Sequence, residues 1–214
     1  MKSLMHIDIE TCGNFPTFKQ FEENEPRGAQ LFVDRYGKDY DDMGKAYSDN
    51  CGLSSTYGKI CCVSFGFEKK DGVIDINSIV NEDEEILVRA LAANLKKFTN
   101  HGFALAGFYI NHFDIPFIVH KLWKYNLEIP SILELNKKPW ETSNVDLFDY
   151  YKQGDYRGKN FDEVCYELNI KSPKDKISGK DVHGKYWNNY LDEIQEYCEK
   201  DISASIKLFN KIHF

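Results

Sequence analysis

Apolar and polar residues alternate along the chain with two different periods, and each period predicts one type of element. Short apolar or alternating runs predict β-strands at residues 4–9, 60–67, 73–79, 103–109 and 144–147. Apolar residues at helical spacing predict α-helices at residues 82–98, 115–125, 161–168 and 191–212. Strands that first follow one another and then alternate with helices indicate the α/β class, with a mixed sheet and helices packed on it.

The pattern is weak between residues 13 and 57, where glycine, proline, asparagine and aromatic residues are mixed. A stretch of this length is too long for a hairpin loop, so we expect an insertion that carries some helix of its own. The rest of the chain shows neither an internal repeat nor a linker rich in proline, glycine or serine. We therefore expect residues 1–214 to form a single domain.

Composition supports a globular protein and argues against a membrane protein. Hydrophobic residues make up 42% of the chain and aromatic residues 14%, enough for a sizeable core. Apolar runs stay shorter than the roughly 18 residues that span a bilayer, and the N-terminal residues do not resemble a signal peptide. We therefore expect a cytoplasmic protein. The six cysteines lack the CxxC spacing of zinc sites, so buried reduced thiols are expected.

The net charge of -7 narrows the possible partners. It argues against a protein that holds duplex nucleic acid on a broad basic face. It is compatible with a small enzyme that holds a few nucleotides, because metal ions neutralise clustered carboxylates.

Two carboxylates stand close together in the first predicted strand. Side chains alternate along a strand, so Asp8 and Glu10 share one face while Ile7 and Ile9 point to the other. Neighbouring carboxylates repel each other unless a cation lies between them, and oxygen ligands suit Mg²⁺ or Mn²⁺. Exposed acids on a strand edge would give the same pattern.

Two further positions carry candidate chemistry. Asp114 follows a buried strand and precedes a helix, where it is either a functional carboxylate or a plain N-cap. Tyr197 and Asp201 are four residues apart on the last helix and therefore share a face. A tyrosine and an aspartate at this spacing are common, so this pair alone indicates little.

Taken in order, these residues resemble a known family. Asp8, Glu10, Asp114, Tyr197 and Asp201 match the DEDDy branch of the DnaQ-like 3′→5′ exonuclease superfamily. The chain is most similar to stand-alone exonucleases related to the proofreading domain of family B DNA polymerases. Further matches are Gly52-Leu53, Tyr57-Gly58-Lys59-Ile60 and Ser172-Pro173-Lys174-Asp175 with Gly179 and Val182. The resemblance implies a ribonuclease H-like mixed sheet flanked by helices.

The resemblance also implies a mechanism. Asp8, Glu10, Asp114 and Asp201 would hold two divalent ions, Mg²⁺ or Mn²⁺, about 4 Å apart on the scissile phosphate. Tyr197 would orient the attacking water, and the products would be nucleoside 5′-monophosphates. Because a tyrosine stands four positions before the last aspartate, the histidine-dependent DEDDh branch is disfavoured.

The expected substrate is the 3′ end of a single nucleic-acid strand, with DNA favoured over RNA, and replication or repair proteins are candidate partners. Single-strand binding needs stacking surfaces and modest positive charge. Tyr57 and Phe113 are candidates for stacking, although aromatic residues are more often core. Lys174 and Lys176 are candidates for a phosphate path, and Thr11 for a backbone contact to the terminal nucleotide.

The chain departs from the family pattern in the loop before Asp114, and this leaves the substrate preference open. Phe108 and Tyr109 stand where the family usually has histidine and asparagine after the glycine, here Gly107. The metal carboxylate Asp114 is intact, so the substrate preference is what this departure leaves open. The alternatives are RNA trimming of the ribonuclease D kind, a non-catalytic module that binds nucleic-acid ends, and a phosphohydrolase of small nucleotides.

Overall fold

The first strand of the chain lies in the middle of a five-stranded sheet. The computed structural model describes residues 3–138, 141–174 and 177–213. The strands are β1 (Leu4–Gly13), β2 (Gly58–Glu68), β3 (Ile74–Val80), β4 (Ala104–Gly107) and β5 (Val145–Asp146), in the order β3-β2-β1-β4-β5. The pairs β1/β2 and β2/β3 are antiparallel, whereas β1/β4 and β4/β5 are parallel. The predicted mixed α/β sheet is therefore confirmed.

Helices cover both faces of this sheet. They are α1 (Phe18–Asn24), α2 (Pro26–Tyr36), α3 (Met43–Asn50), α4 (Glu84–Asn100), α5 (Asp114–Lys124), α6 (Leu147–Lys152), α7 (Phe161–Glu167), α8 (Val182–Trp187) and α9 (Leu191–Ile212). Short 3₁₀ turns lie at Cys51–Leu53 and Ser131–Leu133. Within the described ranges, none of the helices has the length and apolar character to cross a bilayer.

The two faces of β1 have different roles. Met5, Ile7 and Ile9 contribute to a core shared with α4 and α5. The alternate residues point to the opposite face, where α9 packs and where Asp8 contacts its side chains. One face of the strand is therefore apolar, and the other carries His6, Asp8 and Glu10 towards α9, beside a second hydrophobic cluster.

Several element bounds differ from those predicted. β1 runs on to Gly13, with a β-bulge between Glu10 and Thr11 that shifts its register against β2. β4 ends at Gly107 rather than at residue 109, because the backbone of Tyr109 turns into the left-handed region with φ 67°. The helices α6 and α8 were not predicted, since six residues are too few to show a helical period.

The segment expected to be an insertion holds α1, α2 and α3. Its side chains form an aromatic cluster around Phe21, Phe32 and Tyr47. His183 of α8 connects the cluster to the end of β1, because Gly13 N donates to its Nδ1 over 3.1 Å and its ring lies 5.8 Å from the Tyr47 ring between centroids. This segment therefore packs beside the strand that carries Asp8 and Glu10.

A buried ion pair links α4 to α5. Lys121 is 1% exposed, and its Nζ lies 3.1 Å from Glu84 Oε1. Glu84 also accepts hydrogen bonds from Ile60 N, Lys124 Nζ and the Tyr125 hydroxyl at 2.9, 2.9 and 2.6 Å. Burial lowers the pKa of Lys121 to about 8, against the opposing effect of the Glu84 charge. This network fixes α5, the helix that begins at Asp114, against β2.

Candidate active site

A cleft of about 210 Å³ lies where β1, α5 and α9 meet. All five residues expected to be catalytic line it, namely Asp8, Glu10, Asp114, Tyr197 and Asp201. The aromatic residues Phe108, Tyr109, Phe113 and Phe161 form another part of its wall, together with Ser205. The five candidate catalytic residues, which are up to 193 positions apart in the sequence, thus meet in one cavity.

Asp8 and Glu10 share the face of β1 that the alternation of the strand requires. The Cys198 thiol on α9 donates to Asp8 Oδ2 over 3.2 Å. One ligand atom from each of Asp8, Glu10 and Cys198 lies within 4.8 Å of the other two. The strand therefore supplies two carboxylates at this point and the helix a thiol.

Asp114 of α5 lines the same cleft, and its side chain forms a hydrogen bond to β1. It is the first residue of the helix, and the N-cap is Phe113, which forms no side-chain capping bond. The Asp114 carboxylate is 3% exposed, and its Oδ1 accepts a hydrogen bond from Ile9 N over 3.0 Å. The plain N-cap interpretation of Asp114 is therefore wrong, and its side chain is directed at β1.

Asp201 and Tyr197 lie one turn apart on the face of α9 that packs on β1. Both are buried, and the Tyr197 hydroxyl is hydrogen-bonded to the Asp201 carboxylate. One turn further along, the Ser205 hydroxyl and His6 Nδ1 are 2.8 Å apart. The contact between Ser205 and His6 therefore holds α9 on β1 two residues before Asp8.

The cleft concentrates negative charge that nearby side chains offset only weakly. Burial raises the pKa of Asp8 and Glu10 well above the usual range, and the charge of Asp201 raises both further. Burial raises the pKa of Asp114 and Asp201 to about 7, and the charge of Lys174 opposes this rise at Asp201. Because like charges in a poorly solvated site repel each other, the cluster favours either protons or bound cations.

The donor chemistry of the cleft fits hard divalent cations. Carboxylate oxygens are the ligands that Mg²⁺ and Mn²⁺ prefer. Burial raises the pKa of Cys198, so it remains a thiol that donates to Asp8 rather than a thiolate ligand. Asp8, Glu10, Asp114 and Asp201 are the residues that could hold such ions.

Of the residues expected to bind the substrate, Phe113 lies at the cleft. It lines the wall beside Asp114, and its ring packs on Phe117 at 5.7 Å between centroids. Thr11 follows the bulge, and its hydroxyl donates to Gly52 O over 2.7 Å. A contact to a nucleotide would therefore have to involve the backbone of Thr11. Lys174 is exposed, and its charge acts on Asp201. Lys176 lies outside the described residues.

The prediction that Tyr57 offers a stacking surface is wrong. Its side chain is 5% exposed, and it lies among the rings of the aromatic cluster in the segment 13–57. The centroids of Phe32 and Phe21 are 5.1 and 6.1 Å from its own. Tyr57 is therefore a core residue, the alternative that the sequence also allowed, and both neighbours belong to helices that the sequence pattern did not locate.

Ser205 and Phe161 in the cleft, and Cys198 beside Asp8, were not singled out from the sequence. Cys198 and Ser205 follow the helical spacing of the Tyr197/Asp201 face, and this spacing could have identified them. Phe161 stacks on Phe108, with 4.6 Å between centroids, and nothing in the sequence pattern pairs these two rings.

Comparisons with known proteins agree with this architecture. Residues 50–213 match the family model of the RNase H superfamily. No curated protein sequence matches the chain. The family B DNA polymerase of the hyperthermophilic archaeon Pyrobaculum calidifontis is similar in structure, with a TM-score of 0.61 and 14% identity over 99% of this chain and 24% of the polymerase chain. Escherichia coli exonuclease I, solved in complex with a dT13 oligonucleotide, matches with a TM-score of 0.46 and 11% identity over 99% of this chain and 40% of its own.

The chain therefore spans about a quarter of the polymerase that it resembles. At this level of identity the likeness concerns the fold. The predicted ribonuclease H-like sheet flanked by helices is confirmed.

Proposed function

We propose, from the premise that the chain belongs to the RNase H superfamily, that it is a metal-dependent 3′→5′ exonuclease of the DEDDy type. It removes nucleoside 5′-monophosphates from the 3′ end of single-stranded nucleic acid. The observation that carries this proposal is the cleft in which three buried carboxylates, the half-buried carboxylate of Asp8 and one tyrosine meet. Such a charge cluster is unfavourable by itself and becomes favourable when cations bind.

The four carboxylates are the expected metal ligands. Asp8, Glu10, Asp114 and Asp201 would hold two divalent ions, and Asp8 would be the central ligand, because the charges of the other three carboxylates all act on it. When bound, the ions supply positive charge to the scissile phosphate, lower the pKa of a water and stabilise the leaving 3′ oxygen. The protein holds the carboxylates rigidly, since Asp114 is tied to Ile9 N and Asp8 to Cys198.

Tyr197 acts on the attacking water through a hydrogen bond. Burial and the Asp201 charge raise the pKa of Tyr197 far above its usual value, so its hydroxyl keeps the proton at any working pH. A phenol that stays protonated cannot serve as a general base, but it can orient a water molecule. The Asp201 carboxylate holds this hydroxyl in place.

DNA is the favoured substrate over RNA. Two arguments support this choice: the DEDDy motifs resemble those of proofreading domains, and the fold is shared with a family B DNA polymerase. A replication or repair protein is the corresponding candidate partner.

The test is digestion of a short 5′-labelled single-stranded DNA, and of its RNA counterpart, with Mn²⁺, Mg²⁺ or EDTA. We expect a metal-dependent ladder that shortens from the 3′ end, with DNA degraded faster. Asp8→Asn should abolish the ladder, whereas Asp192→Asn, an exposed carboxylate on α9, should leave it unchanged.

Other outcomes would contradict the proposal in different ways. No cleavage with either metal by folded protein would favour a module that only binds nucleic-acid ends. Faster hydrolysis of free nucleotides than of the oligonucleotide would indicate a small-nucleotide phosphohydrolase. RNA degraded faster than DNA would indicate RNA trimming.

A further inference from the structure

The loop between β4 and α5 holds one residue in a strained conformation beside the carboxylates. Tyr109 has φ 67°, in the left-handed region that glycine and asparagine adopt far more readily than an aromatic residue does. The loop leaves β4 through Gly107, where an added Cβ would lie 2.4 Å from Ile110 Cγ2 and 2.7 Å from Ile7 O. The chain therefore passes directly over β1 before it turns at Tyr109.

Hydrogen bonds hold this turn in place. Asp146, at the end of β5, accepts from Tyr109 N over 2.9 Å and from Asn111 N over 2.8 Å. His112 Nε2 lies 3.0 Å from Asp149 Oδ1, and the Ile110 side chain is buried. The ligand atoms of His112, Asp146 and Asp149 come within 4.8 Å of one another, and both oxygens of Asp146 accept backbone N–H groups of the loop. This group therefore serves the loop.

The ring of Tyr109 is both fixed and accessible. It is 43% exposed and lines the same cleft as the carboxylates. It lies nearly parallel to the His112 ring, with 4.7 Å between centroids and 26° between planes. It also stands at 90° to the Phe148 ring at 4.9 Å. Its neighbours thus position the ring, while a large part of it remains open to the solvent.

We propose that Tyr109 is a stacking platform for the nucleobase at the 3′ end of the strand. The inference rests on the proposed function and concerns the base, whereas the carboxylates act on the phosphate. The backbone strain at Tyr109 holds an exposed ring beside the carboxylates. Strain of this kind is typical of functional sites, so we infer that a ligand contacts the ring. Nucleobases stack on aromatic side chains with little regard to sequence. A base can use the platform when it is unpaired and unstacked, so Tyr109 selects single-stranded ends.

The test measures binding, so it does not depend on cleavage. The probes are a 5′-fluorescein single-stranded DNA hexamer with a 3′-terminal adenine and the same hexamer with an abasic 3′-terminal residue. Anisotropy titrations are made in Ca²⁺, which shares the oxygen ligands of Mg²⁺, and the length of the probe is checked by gel afterwards. We expect the wild type to bind the adenine-ended probe roughly 5- to 150-fold more tightly, the range for one stacked base.

Two variants at this position separate stacking from folding. Tyr109→Asn should remove the preference for the base and at the same time raise the melting temperature by about 2–4 °C, because asparagine accepts the left-handed backbone. Tyr109→Phe should keep the preference, since the ring remains. Tyr166→Ala removes a tyrosine from α7 that is even more exposed than Tyr109 and lies outside the cleft, and it should also keep the preference.

The outcomes distinguish the platform from the function on which it rests. Equal binding of the two hexamers by the wild type, or an undiminished preference in Tyr109→Asn, would overturn the platform and leave the exonuclease proposal standing. Loss of the preference in Tyr109→Phe would assign the contact to the hydroxyl and would also overturn it. Failure of the folded wild type to bind either hexamer would count against the proposed function itself and would remove the inference with it.

Discussion

Replacing Asp201 by asparagine should stabilise the metal-free protein at pH 8. In the folded chain this carboxyl is 8% exposed and lies near Asp8 and Glu10, so its ionised form is disfavoured by burial and repulsion. Asparagine has nearly the same shape and can still accept the hydrogen bond from Tyr197. The substitution therefore removes the charge while it keeps the packing.

The magnitude follows from the raised pKa of Asp201, which burial moves from 3.8 to about 7. A rise of this size corresponds to about 4 kcal/mol at a pH above 7. The folded state holds this proton more tightly than the unfolded state does, so stability falls as the pH rises from about 4 to about 7. Because the neighbouring carboxyls share the protons, we expect a gain of about 2–4 kcal/mol at pH 8 and less than half of it at pH 5.

The assay is thermal unfolding in EDTA at pH 5 and pH 8. A gain of this size should raise the melting temperature by roughly 5–15 °C at pH 8. Asp192→Asn is the matched control, since it removes an exposed carboxylate from the first turn of the same helix and should lower stability slightly through the helix dipole. An unchanged or lower melting temperature for Asp201→Asn at pH 8 would refute the reasoning that the empty cluster is a centre of charge repulsion.

Three further results are expected. Millimolar Mn²⁺ or Mg²⁺ should raise the melting temperature of the wild type at pH 8 and raise it much less at pH 5. The raised pKa values of the carboxyl groups mean that protons compete with the ions at pH 5. Equal increases at both pH values would contradict this. Tyr197→Phe should lower kcat by about 10²-fold or more with little change in KM, and an unchanged kcat would exclude a role in orienting water. Glu84→Ala should lower the free energy of unfolding by about 3–5 kcal/mol in urea titrations, because it leaves Lys121 buried without its counter-charge. A loss below 1 kcal/mol would show that the ion pair does not contribute to stability.

The local part of the candidate site could be predicted from the sequence. The shared face of Asp8 and Glu10 follows from strand alternation, and that of Tyr197 and Asp201 follows from the helical period. The contact between these two faces depends on tertiary packing, because α9 has to pack against the face of β1 that carries Asp8 and Glu10. The family resemblance supplied this step, since no local pattern could.

What the sequence left open depends on contacts between distant residues. Tyr109 adopts its conformation because Asp146, 37 residues later in the chain, accepts its N–H. Tyr57 is buried because α1 and α2 fold over it, and the weak pattern of residues 13–57 did not reveal these helices. In each case the sequence shows a residue type and the fold decides its surroundings.

The bond between Asp114 and Ile9 makes one backbone amide a reporter of the site. The parallel ladder between β1 and β4 ends at the pair of His6 and Ala106, and beyond it the Asp114 carboxylate takes the place of a strand carbonyl as acceptor for Ile9 N. Any cation that draws electron density from this carboxylate weakens the same hydrogen bond. The amide nitrogen shift of Ile9, and its rate of deuterium exchange, should therefore change when the cleft fills, without any label on the ligand.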